Sequence, residues 1–562
     1  MTRCRKLSTT LLLLAATALA GAAVLSAPAL AAKGGIPGPN PDAPGQIKKA
    51  NGPTVNTADG PVRGFVENGV NKFLGIPYAA PPVGALRWMP PAPAEHHALL
   101  DATEFANTCP QVTTLGAFSG PPSTTEDCLY LNVFTTATSG SKPVIIWIHG
   151  GANLDGESND YDGSKLATGG PLGTPTVVVT INYRLGLFGI LSQTHLNAEG
   201  HPWGNYGILD QQAVLRWVQA NISAFGGDPH NVTLGGQSAG AYDTSANLLS
   251  PGAAGLFHRA IIQSFPPSTW QTAAAALQRG NAFAAAAGCS DAACLRKLSA
   301  ERILQLQGTP NVNNGSYLAN IFVDGTTIPV QPDVGWGSGA YHKMPIMGGS
   351  VKDEANFNLS ITEYFSSPQA ATTVDQYNNN NSTAVKNAYP LSAYGNNPQL
   401  AQNRISTDRG KCQYLNSFKL MAGTNTYGMY TYDFTYQNAP YYFPQMPNVS
   451  SATGYFQPLA AHTIDIQFLF PGYHGGQLGV NLSQDATNNQ PRELQGAEIT
   501  LSDQLVGAWT NFAKTGNPNG TGVPVWPVFT TTSATFLQQD IPNSTETEAQ
   551  YRANYKCDFW GL

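Results

Sequence analysis

Short apolar runs recur along the chain and are separated by stretches with helical spacing. Residues 143–148 (PVIIWI) and 176–181 (TVVVTI) are apolar throughout or strongly β-branched, as buried strands are. Residues 231–235 (NVTLG), 343–347 (KMPIM) and 427–432 (YGMYTY) read as further strands. Between them, residues 206–219 (YGILDQQAVLRWVQ) carry apolar side chains near helical spacing, and residues 239–249 suit a second helix. Strands alternating with helices predict an α/β chain with a mainly parallel sheet covered on both faces.

The ends modify this picture. Arg3, Arg5 and Lys6 precede a mostly Leu, Ala and Val run over residues 10–25, and Ala29-Leu30-Ala31 follows as a small-x-small site. Residues 1–31 therefore read as a cleavable signal peptide, which implies a secreted or periplasmic protein. An uncleaved anchor helix is the alternative, but the apolar run is short for a bilayer. Residues 32–50, rich in Gly, Pro and Lys, read as a flexible lead-in, and residues 51–562 as one large domain with loop insertions. No later run is long and apolar enough for stable membrane insertion.

Composition narrows the partners. Of 562 residues, 42% are hydrophobic and only 11% charged, with a net charge of −6 and no long basic run. Nucleic acid is not an expected partner. Outside the leader there are six cysteines, Cys109, Cys128, Cys289, Cys294, Cys412 and Cys557, an even number that fits three disulfides in an exported protein. Their spacing alone leaves the pairing open, and no CxxC pair with histidine partners suggests a metal.

The chemistry centres on Gly236-Gln237-Ser238-Ala239-Gly240. Placed between a strand and a helix, G-x-S-x-G is the nucleophile elbow of an α/β-hydrolase, and Ser238 is the expected nucleophile. Such a turn is strained, and side chains at Gly236 or Gly240 would crowd it. Upstream, Trp147-Ile148-His149-Gly150-Gly151-Ala152 ends a strand in a small-residue loop. Its Gly151 and Ala152, with Ala239 after the nucleophile, are the expected oxyanion-hole donors. Chain order then requires an acid and a histidine downstream. His462 and His474 are the histidine candidates. Glu354 and Asp353, after the strand at 343–347, are preferred as acid over Asp433.

These residues resemble the type-B carboxylesterase and cholinesterase family, from about residue 52 to the C-terminus. Glu126-Asp127-Cys128-Leu129-Tyr130-Leu131-Asn132-Val133 and Phe225-Gly226-Gly227-Asp228-Pro229 through Gly240 are similar to its two signatures. Asn182-Tyr183-Arg184-Leu185-Gly186 and Gly204-Asn205-Tyr206-Gly207-Ile208-Leu209-Asp210-Gln211 match as well. The resemblance implies the α/β-hydrolase fold and a Ser-Glu-His triad. Lys352-Asp353-Glu354 is similar to the family's acid motif, which selects Glu354. Ala461-His462-Thr463-Ile464-Asp465 is similar to its histidine motif, which selects His462. The resemblance also implies disulfides Cys109–Cys128, Cys289–Cys294 and Cys412–Cys557, and structural ion pairs Arg184–Asp210 and Arg87–Glu126.

Three positions depart from the family pattern: Gln237 stands where Glu is usual, and Ala355 and Thr463 stand where Gly is usual. The segment between Cys109 and Cys128 holds no Trp for cation–π stacking on choline. The expected activity is hydrolysis of a small-molecule carboxylic ester other than a choline ester, through an acyl-enzyme and with no cofactor or metal. A lipase acting on long-chain esters and a non-catalytic adhesion protein on the same fold are the alternatives. Loops 109–128, 265–275 and 310–322 are expected to set acyl and alcohol preference.

Overall fold

A computed structural model describes residues 52–112, 121–264, 266–309, 312, 320–357, 372–441, 457–475, 479–484 and 490–562. The leader and the lead-in lie outside the described residues.

An eleven-stranded sheet organises the chain. In chain order its strands are β1 (Phe65–Glu67), β2 (Val70–Pro77), β3 (Tyr130–Thr135), β4 (Lys142–Ile148), β5 (Val177–Ile181) and β6 (Gly227–Gln237). Then follow β7 (Arg259–Gln263), β8 (Ile346–Val351), β9 (Met429–Phe434), β10 (Thr535–Gln539) and β11 (Ser544–Thr547). Across the sheet the order is β11-β10-β9-β8-β7-β6-β4-β5-β3-β2-β1. The strands from β10 to β5 pair in parallel. Pairing is antiparallel at both ends. At one end the tight turn Asn68-Gly69, with both residues at positive φ, joins β1 to β2 as a hairpin, the turn chemistry that Asn-Gly favours.

The parallel strands are apolar on both faces. Along β4, Val144, Ile146 and Ile148 enter one core, and Ile145 and Trp147 enter the other. Helices α1 (Tyr206–Asn221), α2 (Ala239–Leu249) and α3 (Pro398–Thr424) contribute side chains to the first core, through Leu215, Leu248 and Phe418. Helix α4 (Ala497–Thr515) covers the second with Leu505, Trp509 and Phe512. Each large side chain buried in this way contributes about 2–3 kcal/mol. Among the described residues no helix is long and apolar enough to cross a membrane.

One sequence expectation is corrected. The strand read at 343–347 runs instead from Ile346 to Val351. It continues through Gly348 and Gly349 because a Cβ there would come within 2.8 Å of the Ile262 carbonyl and 2.3 Å of the Tyr432 carbonyl. Glycine is what lets these strands pack with the large aromatic neighbours between them. Asn221, the last residue of α1, is held inside the fold. Its side chain is buried, accepts from the Ala58 N–H at 2.7 Å and donates to the Trp217 carbonyl at 3.1 Å.

The three disulfides pair as the resemblance implies. Cys412–Cys557 joins α3 to the C-terminal segment across 145 residues, a closure that the chain-entropy argument values at about 4–5 kcal/mol. The two implied ion pairs are present as well: Arg184–Asp210 at 2.7 Å, and Arg87 with Glu126.

Candidate active site

The sheet register puts Ile148, Gly236 and Ile262 in one row, with Gln237, Gln263 and Gly349 in the next. The carboxyl ends of four neighbouring parallel strands therefore open onto one rim, where open α/β sheets place their ligands.

Ser238 sits between the end of β6 and the start of α2 at φ 58°, ψ −120°, a conformation that L-residues rarely adopt. Its N–H donates to the Gln263 carbonyl at 2.9 Å, which ties the strained turn to β7. The flanking glycines permit the turn. A Cβ on Gly240 would lie 2.1 Å from the Ile148 carbonyl, and one on Gly236 would lie 2.6 Å from the same atom. Ser238 is partly exposed, while Gln237 and Ala239 beside it are buried. Ala239 is the first residue of α2, so its N–H has no helical carbonyl to donate to.

The loop after β4 packs directly on this elbow. A Cβ on Gly150 would come 3.1 Å from the Ser238 Cβ. Gly151, Ala152 and Asn153 all have positive φ, at 111°, 55° and 56°. His149 anchors the start of the loop, stacked on Tyr183 with centroids 4.5 Å apart. Burial pushes its imidazole down to about 4, so it is neutral at ordinary pH.

On the far side, His462 Nδ1 lies 2.5 Å from Glu354 Oε2. Glu354 Oε1 accepts the Val351 N–H at 3.1 Å, which orients the carboxylate against the end of β8. Burial works against its charge, but His462, the Ser264 hydroxyl and Lys411 outweigh it and hold the carboxyl below its ordinary value. A carboxylate so placed keeps the imidazole proton on Nδ1 and leaves Nε2 as an acceptor. The Gln237 side-chain N–H lies 3.2 Å from that Nε2, so the residue before Ser238 touches the imidazole. Phe357 packs edge-on to the ring, and the Tyr441 hydroxyl donates to the His462 carbonyl at 2.9 Å.

The other candidates sit elsewhere. Asp353 accepts from Gln437 at 2.6 Å and from the Ala460 N–H at 3.2 Å. Asp433 is buried against Lys411 at 2.6 Å, and Tyr555 donates to it at 2.5 Å. His474 is half-buried in the loop that follows Phe470. The family departures have distinct consequences. Thr463 has φ 78°, a conformation that suits glycine and strains a β-branched residue, and its hydroxyl donates to the His462 carbonyl. Ala355 needs no positive φ and costs nothing of that kind.

Sequence reasoning missed Ser264, Lys411 and Asp465. Ser264 ends β7 as Ser238 ends β6, also at positive φ (56°). That position, a serine closing the neighbouring strand, was the available signal. Asp465 is buried beside Gln263 and Tyr432, and burial pushes its carboxyl up to about 6. Lys411 gave no local signal, and Asp465 stood only as the last residue of the histidine motif, with no role attached.

The carboxylesterase family profile matches residues 51–560. The para-nitrobenzyl esterase of Bacillus subtilis is 34% identical, covering 89% of this chain and 97% of that protein. The acylcarnitine hydrolase of Mus musculus is 33% identical, covering 88% of this chain and 89% of that protein. A solved carboxylesterase of Geobacillus stearothermophilus superposes with a TM-score of 0.70 at 31% identity, over 89% of this chain and 99% of that one. The fold is that of the α/β-hydrolases, and the chain is a carboxylic ester hydrolase belonging to the type-B carboxylesterase family.

Proposed function

We propose that the protein is an exported serine carboxylesterase with Ser238 as nucleophile, His462 as general base and acid, and Glu354 as the acid that orients it. The observation that carries this reading is the buried Glu354–His462 pair, whose Nε2 edge lies 3.2 Å from the side-chain nitrogen of Gln237, the residue preceding Ser238. His462 takes the Ser238 proton as Oγ attacks the ester carbonyl. The N–H groups of Gly151, Ala152 and Ala239 bind the developing oxyanion. His462 then protonates the leaving alcohol, and water attacks the acyl-enzyme by the same route in reverse. Residues 1–31 act as the export signal, and three disulfides suit a destination that is oxidising.

Carboxylic esters without a cationic alcohol fit better than choline esters. An amide at Gln237 puts no negative charge beside the nucleophile, and the segment between Cys109 and Cys128 has no Trp. The test is turnover of short-chain chromogenic esters by the mature protein and by Ser238→Ala. The wild type should hydrolyse them and be labelled at Ser238 by an organophosphonate. A variant that keeps substantial activity sinks the assignment, and a wild type that neither turns over nor is labelled points to a binding protein.

A further inference from the structure

The oxyanion loop is held by a buried carboxylate on the nucleophile's own helix. Ala152 and Asn153 are consecutive non-glycine residues at positive φ, an arrangement that persists only where the surroundings enforce it. Asn153 carries the restraints. Its carbonyl accepts the Gly186 N–H at 2.6 Å. Its Oδ1 accepts the Tyr183 hydroxyl at 3.0 Å, and that hydroxyl also reaches the His149 carbonyl at 2.9 Å. Its Nδ2 donates to Asp243 Oδ1 at 3.1 Å.

Asp243 lies in α2, the helix that opens at Ser238 and contains Ala239. Its second oxygen accepts from Gln211 Nε2 of α1 at 2.6 Å, and Gln211 Oε1 in turn accepts from Asn247 Nδ2 at 2.9 Å. Asp243 is 1% exposed, and burial pushes its carboxyl up to about 7 with only amide and hydroxyl partners to oppose it. A carboxylate buried without a cation costs stability, so packing alone does not account for it. Its chemistry does, because Asn153 and Gln211 donate to different oxygens of the group, and among side chains only an ionised carboxylate offers two acceptor oxygens.

The geometry points to Asp243 as a positioning residue for the oxyanion hole. Through Asn153 it locks the N–H groups of Gly151 and Ala152, on the loop after β4, to Ser238 and Ala239, on its own helix. A hole assembled from two elements needs such a link, since its donors act only when all aim at one oxygen. The inference rests on the proposed roles of Ser238, Gly151, Ala152 and Ala239.

The test compares wild type, Asp243→Asn, Asn153→Ala and the exchanged pair Asn153→Asp/Asp243→Asn on an oxoester and the matching thionoester. Sulfur is a weaker hydrogen-bond acceptor than oxygen, so thionoester turnover depends less on the hole. Asp243→Asn should lose about tenfold or more in oxoester kcat at little-changed KM, a fraction of the loss typical of removing a donor outright. It should lose clearly less on the thionoester, and the exchanged pair should recover activity. A folded Asp243→Asn with unchanged oxoester kcat, or with equal loss on both substrates, overturns the inference. Should Asp243→Asn not fold, Asn153→Ala and the exchanged pair decide by the same ratio. Ser238→Ala runs alongside. If it is inactive beside an unimpaired Asp243→Asn, only the inference fails; if it is active, the triad reading fails as well.

Discussion

The side-chain amide nitrogen of Gln237 lies 3.2 Å from Nε2 of His462, although 225 residues separate the two in sequence. The contact meets the imidazole edge that would receive the Ser238 proton. An N–H there favours the neutral acceptor form and does nothing for the imidazolium. Replacement by Glu would put a carboxylate beside the ring and favour the protonated form. Gln237→Glu should therefore move the acid limb of the kcat/KM profile to higher pH with the fold intact. A profile superposable on wild type would mean that Gln237 does not face the imidazole during turnover.

Lys411 is fully buried, paired with Asp433 and close enough to Glu354 to help keep it ionised. Removing the lysine alone would strand Asp433, a loss of about 3–5 kcal/mol. The double variant Lys411→Met/Asp433→Asn avoids that. It should fold, yet its Glu354 should protonate at higher pH than in the wild type. Activity in the double variant should then fall away earlier on acidification, as a pH–rate series reads directly. An unmoved acid limb would confine Lys411 to a packing role.

Thr463 holds φ 78° next to His462. Left-handed backbone costs an L-residue roughly 1–2 kcal/mol, while glycine gives back part of any gain through its freedom in the unfolded chain. Thr463→Gly should leave stability level or raise it by up to about 1 kcal/mol. Thr463→Ala keeps the strain and loses the hydroxyl's bond to the His462 carbonyl, so it should melt below both. Thermal melts of the three proteins check the order, and a Gly variant that melts below the Ala variant would contradict the strain account.

Asp243 and Asp465 link stability to pH. Burial raises both carboxyls above their unfolded value of 3.8, to about 7 and about 6. The folded state then binds protons that the unfolded state has released. Their contribution is complete below about pH 4 and is lost as pH rises to about 7. At 1.36 kcal/mol per unit, Asp243 accounts for on the order of 4 kcal/mol of the total change across that window. Asp243→Asn should flatten the dependence of unfolding free energy on pH across this window. Denaturant titrations at several pH values measure it, and an unchanged slope would place the carboxyl's titration elsewhere.

The pattern along the chain was enough for several elements. Strand β5 stands where its apolar run places it, because it is buried along its whole length and its own composition records this, and helix α2 opens directly after Ser238 as the elbow requires. The Ser238 elbow was legible for a similar reason, since its glycines answer clashes with atoms at a strand's end that any such turn meets. Strand β8 was displaced because propensity disfavours Gly348 and Gly349, whereas close packing against β7 and β9 demands them.

Local pattern reached its limit at charges and partners. From residues alone the sequence narrowed the acid to a few carboxylates, and the family resemblance selected Glu354. Only folding brings that carboxylate to His462 across 108 residues and places Asp353 against Gln437 and Ala460 instead. Asn153 and Asp243, 90 residues apart, carried no signal, nor did Lys411 with Asp433. Periodicity encodes which face of an element is buried, and turn residues encode where the backbone bends. Which polar groups then share a dry interior depends on how strands and helices stack, and at this site that stacking alone sets the partners of each carboxylate.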